Sequence, residues 1–266
     1  MRILVVNDDG LESPGIQAIS EELKKLGEVW VFSTAEDRSG SSHSITLTHA
    51  IRIVKFEERV FKVYGTPADC VNIAVNGIIG DVPDLVVSGI NLGENAGDDI
   101  LYSGTFGGAI EGALLGAKSF AISARVRENK TGDLRVISRI SLEIIKTISE
   151  SVKNHDRLVF NINFPYFHSE KEIKGLKVAE LCRRIYGEKA LRFQDPRGRE
   201  FWFIGGKEVK VDSNSVIDPS KIDVFLLDKG YITITPVRVE FKTQISDITA
   251  EIEKNLVKRL KESLQT

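Results

Sequence analysis

The chain has 266 residues, 42% apolar and 28% charged, and its 36 basic and 38 acidic side chains leave a formal net charge of −2. That length can bury roughly 70–75% of the unfolded surface, so a core needs no disulfide, and two cysteines (Cys70 and Cys182) exclude a disulfide scaffold or a four-cysteine zinc site. The near-neutral balance excludes a global basic field for nucleic acid or an anionic membrane, and the opening MRILVVNDDG turns polar too soon for a leader or a span, so a cytoplasmic protein with no membrane partner is expected.

Residues 2–6 form a short apolar run without alternation, which suits a parallel strand buried on both faces; it ends abruptly at Asn7-Asp8-Asp9-Gly10. Pro14-Gly15 opens a helical pattern with Ile16, Ile19, Leu23 and Leu26 on one face. Residues 28–33 read as a second strand. The polar stretch 34–43 follows, and a loop that long inside a compact domain is usually functional. Residues 51–56 and 60–64 read as a β-hairpin. Pro67 starts a helix through Val71, Val75 and Ile78, and residues 84–88 form another buried strand. A helix rich in Gly and Ala over 104–117, a strand over 120–124, an amphipathic helix over 134–153 and a strand over 158–163 complete the alternation. The repeated strand–helix order predicts an α/β fold, a Rossmann-like three-layer α/β/α arrangement with a mostly parallel sheet.

After Pro165 the rhythm changes. Residues 174–182 and 201–210 read as exposed or antiparallel strands, separated by a stretch carrying Arg183, Arg184, Arg192, Arg197 and Arg199, most simply a solvated or subunit-facing surface. Residues 211–222 read as loop, 230–239 as a strong strand and 246–263 as a terminal helix with Ile248, Ile252, Leu256 and Leu260 on one face. The expected division is an α/β catalytic domain over 1–165 and a β-rich arm, late strand and terminal helix over 166–266.

Open parallel sheets bind ligands beyond the carboxyl ends of their strands, and two strand ends here carry polar clusters. At Asp8-Asp9 the two carboxylates repel each other, and a hard divalent cation is the simplest neutraliser, although either residue could instead cap the next turn. In Ser88-Gly89-Ile90-Asn91 the asparagine offers an amide oxygen, although Asn and Gly are also ordinary turn residues. Tyr102-Ser103-Gly104-Thr105 precedes a helix, where hydroxyls and free N–H groups can hold an anion or simply cap. On the long loop, Asp37-Arg38-Ser39-Gly40-Ser41-Ser42-His43 can fold over the same edge and bring donors to a phosphate.

These segments occur in order with Pro14-Gly15-Ile16, Gly65-Thr66-Pro67, Asp69-Cys70-Val71, Gly93, Asn95, Gly97, Asp98, Glu111-Gly112, Gly230-Tyr231 and Thr235-Pro236. The set resembles the survival protein SurE family of metal-dependent nucleotidases. The resemblance implies a 5'-nucleotidase that hydrolyses nucleoside monophosphates with Mg²⁺ or Mn²⁺. Its implied metal ligands are Asp8, Asp9, Ser39 and Asn91. Asn95, Ser103, Gly104 and Thr105 match the family's neighbouring active-site segment. The expected mechanism uses Asp8 or Asp9 to accept a proton from water, and Asn95, Ser103 and the backbone at Gly104 and Thr105 to hold phosphate oxygens. The nucleoside is expected toward the loop of Ser39, Gly40, Ser41 and His43. A homodimer or tetramer through the C-terminal arm is also implied, and no specific nucleic acid partner is expected. A covalent aspartyl-phosphate route is disfavoured, because the related haloacid-dehalogenase pattern separates its two Asp by one residue. The remaining alternative is a non-catalytic nucleotide- or metal-binding regulatory protein on the same fold.

Overall fold

The computed structural model describes residues 1–128, 130–187, 190–204 and 209–240. The predicted helix over 246–263 lies outside them. Strand β1 (Arg2–Asn7) leads to helix α1 (Pro14–Leu23) and β2 (Glu28–Thr34), and β3 (Ile53–Glu57) and β4 (Val60–Val63) form the expected hairpin. Helix α2 (Pro67–Ile73) passes into a π-helical turn over Ala74–Ile79, so the single helix predicted from Pro67 to Ile78 changes its winding midway. Strand β5 (Leu85–Leu92), α3 (Gly104–Leu114), β6 (Lys118–Ala124), α4 (Leu134–Ser151) and β7 (Leu158–Phe164) follow.

The second stretch holds β8 (Leu176–Val178), β9 (Arg184–Tyr186), β10 (Ala190–Gln194), β11 (Glu200–Ile204), β12 (Val209–Val211), α5 (Asp223–Asp228) and β13 (Ile232–Arg238). Three expectations change there. The Arg-rich stretch contains β9 and β10 rather than a plain connection, because β9 pairs with β12 and β10 with β11. Strand β8 is exposed as expected but runs parallel to β13. Helix α5, six residues long, has too short a repeat to be read from periodicity.

The main sheet has nine strands in the order β3-β4-β2-β1-β5-β6-β7-β13-β8. From β4 through β7 neighbouring strands run parallel. The chain moves from β1 to β2 on one side and returns to β5 on the other, so the strand order reverses between β1 and β5. A crevice opens outside the carboxyl ends at such a reversal. Alternating residues of β1 explain the two apolar layers. Ile3 and Val5 pack with Ile16 and Ile19 of α1 and Ile137 and Ile145 of α4, whereas Leu4 and Val6 pack with Cys70 and Val71 of α2. No helix among the described residues is long and apolar enough to cross a membrane.

Candidate functional site

The crevice is a cavity of about 580 Å³. Asp8, Ser39, Gly40, Asn91, Asn95 and Ser103, all candidates from sequence, line it together with Glu94, Asp99, Tyr102, Tyr186, Gly187 and Ile204. Asp8 follows β1 directly and is only 3% exposed. The Thr105 hydroxyl donates to Asp8 Oδ1 at 2.6 Å. Burial pushes the Asp8 carboxyl above the usual carboxylate range against the opposing bonds from Thr105. Asp9 is pushed up to about 6 by burial, and then by the charges of Asp8 and Asp37.

Asp9 Oδ2 is buried and has no hydrogen-bond partner, and the same is true of Ser41 Oγ. An unpartnered buried carboxylate oxygen beside a second carboxylate is costly unless a positive charge offsets it. Among the described residues no three His, Cys, Asp or Glu side chains are placed to hold a metal ion by themselves, so the available donors here are two carboxylates with the neutral oxygens of Ser39 and Asn91. The Asn91 amide nitrogen donates to Gly93 O at 2.8 Å, which leaves its Oδ1 as the end available to a cation. An all-oxygen set of this kind fits Mg²⁺ or Mn²⁺ rather than zinc.

The reading of residues 84–88 as the whole strand is too short, since β5 continues to Leu92. Its register shifts between Ser88 and Asn91, which carries Asn91 into the strand end beside β6. Such irregularities re-aim side chains near functional sites.

Helix α3 begins at the same edge. Ser103 is its N-cap, accepting from Phe106 N at 3.0 Å. The Gly104 backbone lies so near the first strand that a Cβ there would stand 2.6 Å from Ser41 Oγ and 2.7 Å from Asp8 Oδ2. At Gly107 a Cβ would be 2.1 Å from Ser42 O. The long loop therefore lies against the first turn of α3, held by Ser42 N donating to Tyr102 O at 3.0 Å and by Arg38 N donating to Asp8 O at 2.8 Å. Ser41, Gly104 and Thr105 thus surround Asp8 without lining the open cavity.

His43 goes elsewhere. Its Nε2 stands 2.8 Å from Glu111 Oε2, and Asn72 Nδ2 donates to Glu111 Oε1 at 2.9 Å. The ring clasps the loop to α2 and α3 and does not line the cavity. Burial alone would raise the Glu111 carboxyl, but the bonds from His43 and Asn72 outweigh it and hold the group below its ordinary value. A depressed carboxylate stabilises the fold above its unfolded value of 4.5, and that contribution is lost as pH falls through the lower folded value. Glu111→Gln should therefore cost roughly 1–2 kcal/mol of stability at pH 7, read as a lower melting temperature. The gap to the parent should close in melting curves taken at progressively lower pH; a gap unchanged down to pH 3 would count against the clasp.

Several site residues carry no motif in the sequence. Asn161 and Asn163 of β7 both donate to Asn95 O, at 2.8 and 3.0 Å, and Asn163 Oδ1 accepts from Asn95 N. Asn95 Nδ2 donates to Ser123 Oγ at 2.9 Å. Their signal is two asparagines at i and i+2, on one face of the strand predicted over 158–163. Arg184 also departs from the reading of its neighbours as solvated, since its side chain is 9% exposed and pairs with Asp99 at 3.3 Å.

Residues 3–188 match the family model described as "Survival protein SurE". A protein named 5'-nucleotidase SurE from Alkalilimnicola ehrlichii is 38% identical over 240 residues, 90% of each chain. One of the same name from Geobacter metallireducens is 35% identical over 246 residues, covering 92% of this chain and 94% of the relative. A crystal structure of the SurE protein from Aquifex aeolicus superposes with a TM-score of 0.78 at 35% identity, covering 96% of this chain and 99% of that one.

Proposed function

The chain belongs to the survival protein SurE family, and from that premise we propose that it is a 5'-nucleotidase whose strand-end crevice hydrolyses nucleoside monophosphates with a divalent cation. The reading rests above all on the carboxylate pair at the strand-order reversal, with the buried Asp9 Oδ2 left without a partner. Asp8, Asp9, Ser39 and Asn91 would hold Mg²⁺ or Mn²⁺. When bound, the cation supplies Lewis acidity at the phosphoryl group and acidifies nearby water.

The protein's own groups do the rest. Thr105 fixes the Asp8 carboxylate in orientation. Asp8 lines the cavity, and Asp9 Oδ2 behind it is the buried oxygen of the pair left without a partner. Gly104 and Thr105 pack the first turn of α3 against Asp8, and the Ser103 hydroxyl at the N-cap is the group of this segment that lines the cavity and would meet developing phosphate charge. Asn95, anchored by Asn161, Asn163 and Ser123, adds an amide at a fixed position. A binding-only protein is not favoured, because the relatives are named as nucleotidases. Initial rates across a nucleoside monophosphate panel with Mg²⁺, Mn²⁺ and EDTA test the proposal. No phosphate release above the EDTA control with any pair would refute it.

The same reading takes residues 1–165 as the catalytic α/β unit and the following stretch as assembly structure that returns β8 and β13 to the sheet and lends Tyr186, Gly187 and Ile204 to the cavity. The assembly is proposed to be a homodimer or tetramer. In the β10–β11 ribbon, Leu191, Phe193, Phe201, Trp202 and Phe203 are all exposed. A two-stranded ribbon is marginal alone, and an apolar patch of this kind marks an interface. Trp202→Glu should shift light-scattering mass toward a smaller species; an unchanged mass across a wide concentration range would exclude the ribbon as the contact. Cytoplasmic residence is part of the proposal and agrees with the buried, unpaired Cys70 and Cys182.

A further inference from the structure

The cavity is lined by polar groups, among them Asp8, Ser39, Asn91 and Ser103, and by two aromatic residues, Tyr102 and Tyr186. Tyr102 directly precedes Ser103 in the chain, so an aromatic side chain adjoins the anion-facing hydroxyl. The Tyr102 and Tyr186 rings stand 5.8 Å apart and perpendicular. They form an ordinary edge-to-face pair and are 59% and 37% exposed.

Tyr186 lies on a short, exposed strand, yet it is firmly held. Its hydroxyl donates to Asp99 Oδ1 at 2.6 Å. Asp99 is also paired with Arg184, whose backbone N–H donates to Asp98 Oδ2 at 3.0 Å. The 97–101 turn and β9 are thus tied together by the groups that orient the ring. A rigid, exposed aromatic surface costs little further ordering when a flat ligand docks. Of the loop toward which the nucleoside is expected, Ser39 and Gly40 line this cavity, whereas the His43 ring is taken up by Glu111.

We infer that Tyr102 and Tyr186 form the nucleobase-binding wall, with the base seated between the 97–102 turn and β9 while the phosphate lies at Asp8 and Ser103. The inference deepens the nucleotidase reading and rests on it for the orientation of the ligand. Aromatic stacking accepts any base, so the wall separates base-bearing phosphomonoesters from base-free ones rather than one base from another. The cavity volume of about 580 Å³ is within the ~300–1,000 Å³ common for small-molecule sites.

The test compares adenosine 5'-monophosphate with ribose 5-phosphate, in the full-length protein with Mn²⁺, and adds adenosine binding by calorimetry. Tyr102→Ala and Tyr186→Ala should each lower the ratio of kcat/KM for the nucleotide over the sugar phosphate about tenfold or more, through KM. Tyr102→Phe should restore the ratio, since it keeps the ring. Adenosine binding should weaken in step. A ratio that stays at the parent value in both alanine variants, with adenosine binding intact, overturns the inference. A parent protein that cleaves neither ester but binds adenosine in a Tyr102-dependent way would refute the nucleotidase reading and leave the base wall standing.

Discussion

Asp8→Asn is expected to lower kcat for nucleoside monophosphates about 10³-fold or more, on the basis that a cation contributes several kcal/mol and each factor of ten is about 1.4 kcal/mol. Asparagine keeps an oxygen to accept the Thr105 hydroxyl, now at 2.6 Å from Asp8 Oδ1, so the turn between β1 and α1 should stand. It removes the charge that a cation needs. Burial already disfavours the ionised Asp8 carboxyl, so the metal-free variant should melt no lower than the parent at pH 7. Added Mn²⁺ should raise the parent's melting temperature and leave that of the variant unmoved. Near-parental turnover of the variant in saturating Mn²⁺ would remove Asp8 from the ligand set.

Gly104→Ala should be nearly as damaging, and for a steric reason. The added Cβ would sit 2.6 Å from Ser41 Oγ, 2.7 Å from Asp8 Oδ2 and 3.1 Å from Asp8 Cβ. Those neighbours lie on two separate segments, each fixed by backbone bonds, so the N-terminus of α3 must retreat. A misplacement on the order of 1 Å can cost about 10²-fold in rate, and that loss is expected in kcat/KM. The stability change should be smaller. Alanine favours the helix by up to ~1 kcal/mol while overpacking costs ~1–3 kcal/mol. Gly77→Ala is the control, since nothing lies within 4 Å of its added Cβ. Equal kinetics for Gly104→Ala and Gly77→Ala would mean that the close approach has no bearing on catalysis.

Much of the α/β framework was legible because its strands are apolar runs that stop at polar clusters. Asp8 and Asn91 stand out for the same reason, as polar residues where a buried strand ends. The parts that escaped depend on partners far along the chain. Arg184 and Tyr186 look like members of an exposed basic stretch until Asp98 and Asp99, some 86 residues earlier, are brought beside them. His43 resembles a site residue by its position on the loop, and only the packing of α3 against α2 reveals that Glu111 takes its ring. Short strands such as β9 and β12 are three residues each, too few for alternation to register.

Strand β13 sets a schedule for synthesis. It pairs with β7 along six residues, from Thr233–Asn163 to Arg238–Leu158, so the inner edge of the sheet stays open until about 74 further residues have followed Phe164. At ~5–20 residues per second that interval is about 4–15 s. Throughout it, Val159, Phe160 and Ile162 sit on a strand that β6 pairs on one side only and that the finished fold buries, a template for edge-to-edge pairing with a neighbouring nascent chain. Ribosomes spaced closely on one message would expose several such edges together, so slow translation through the arm would raise the demand for chaperones.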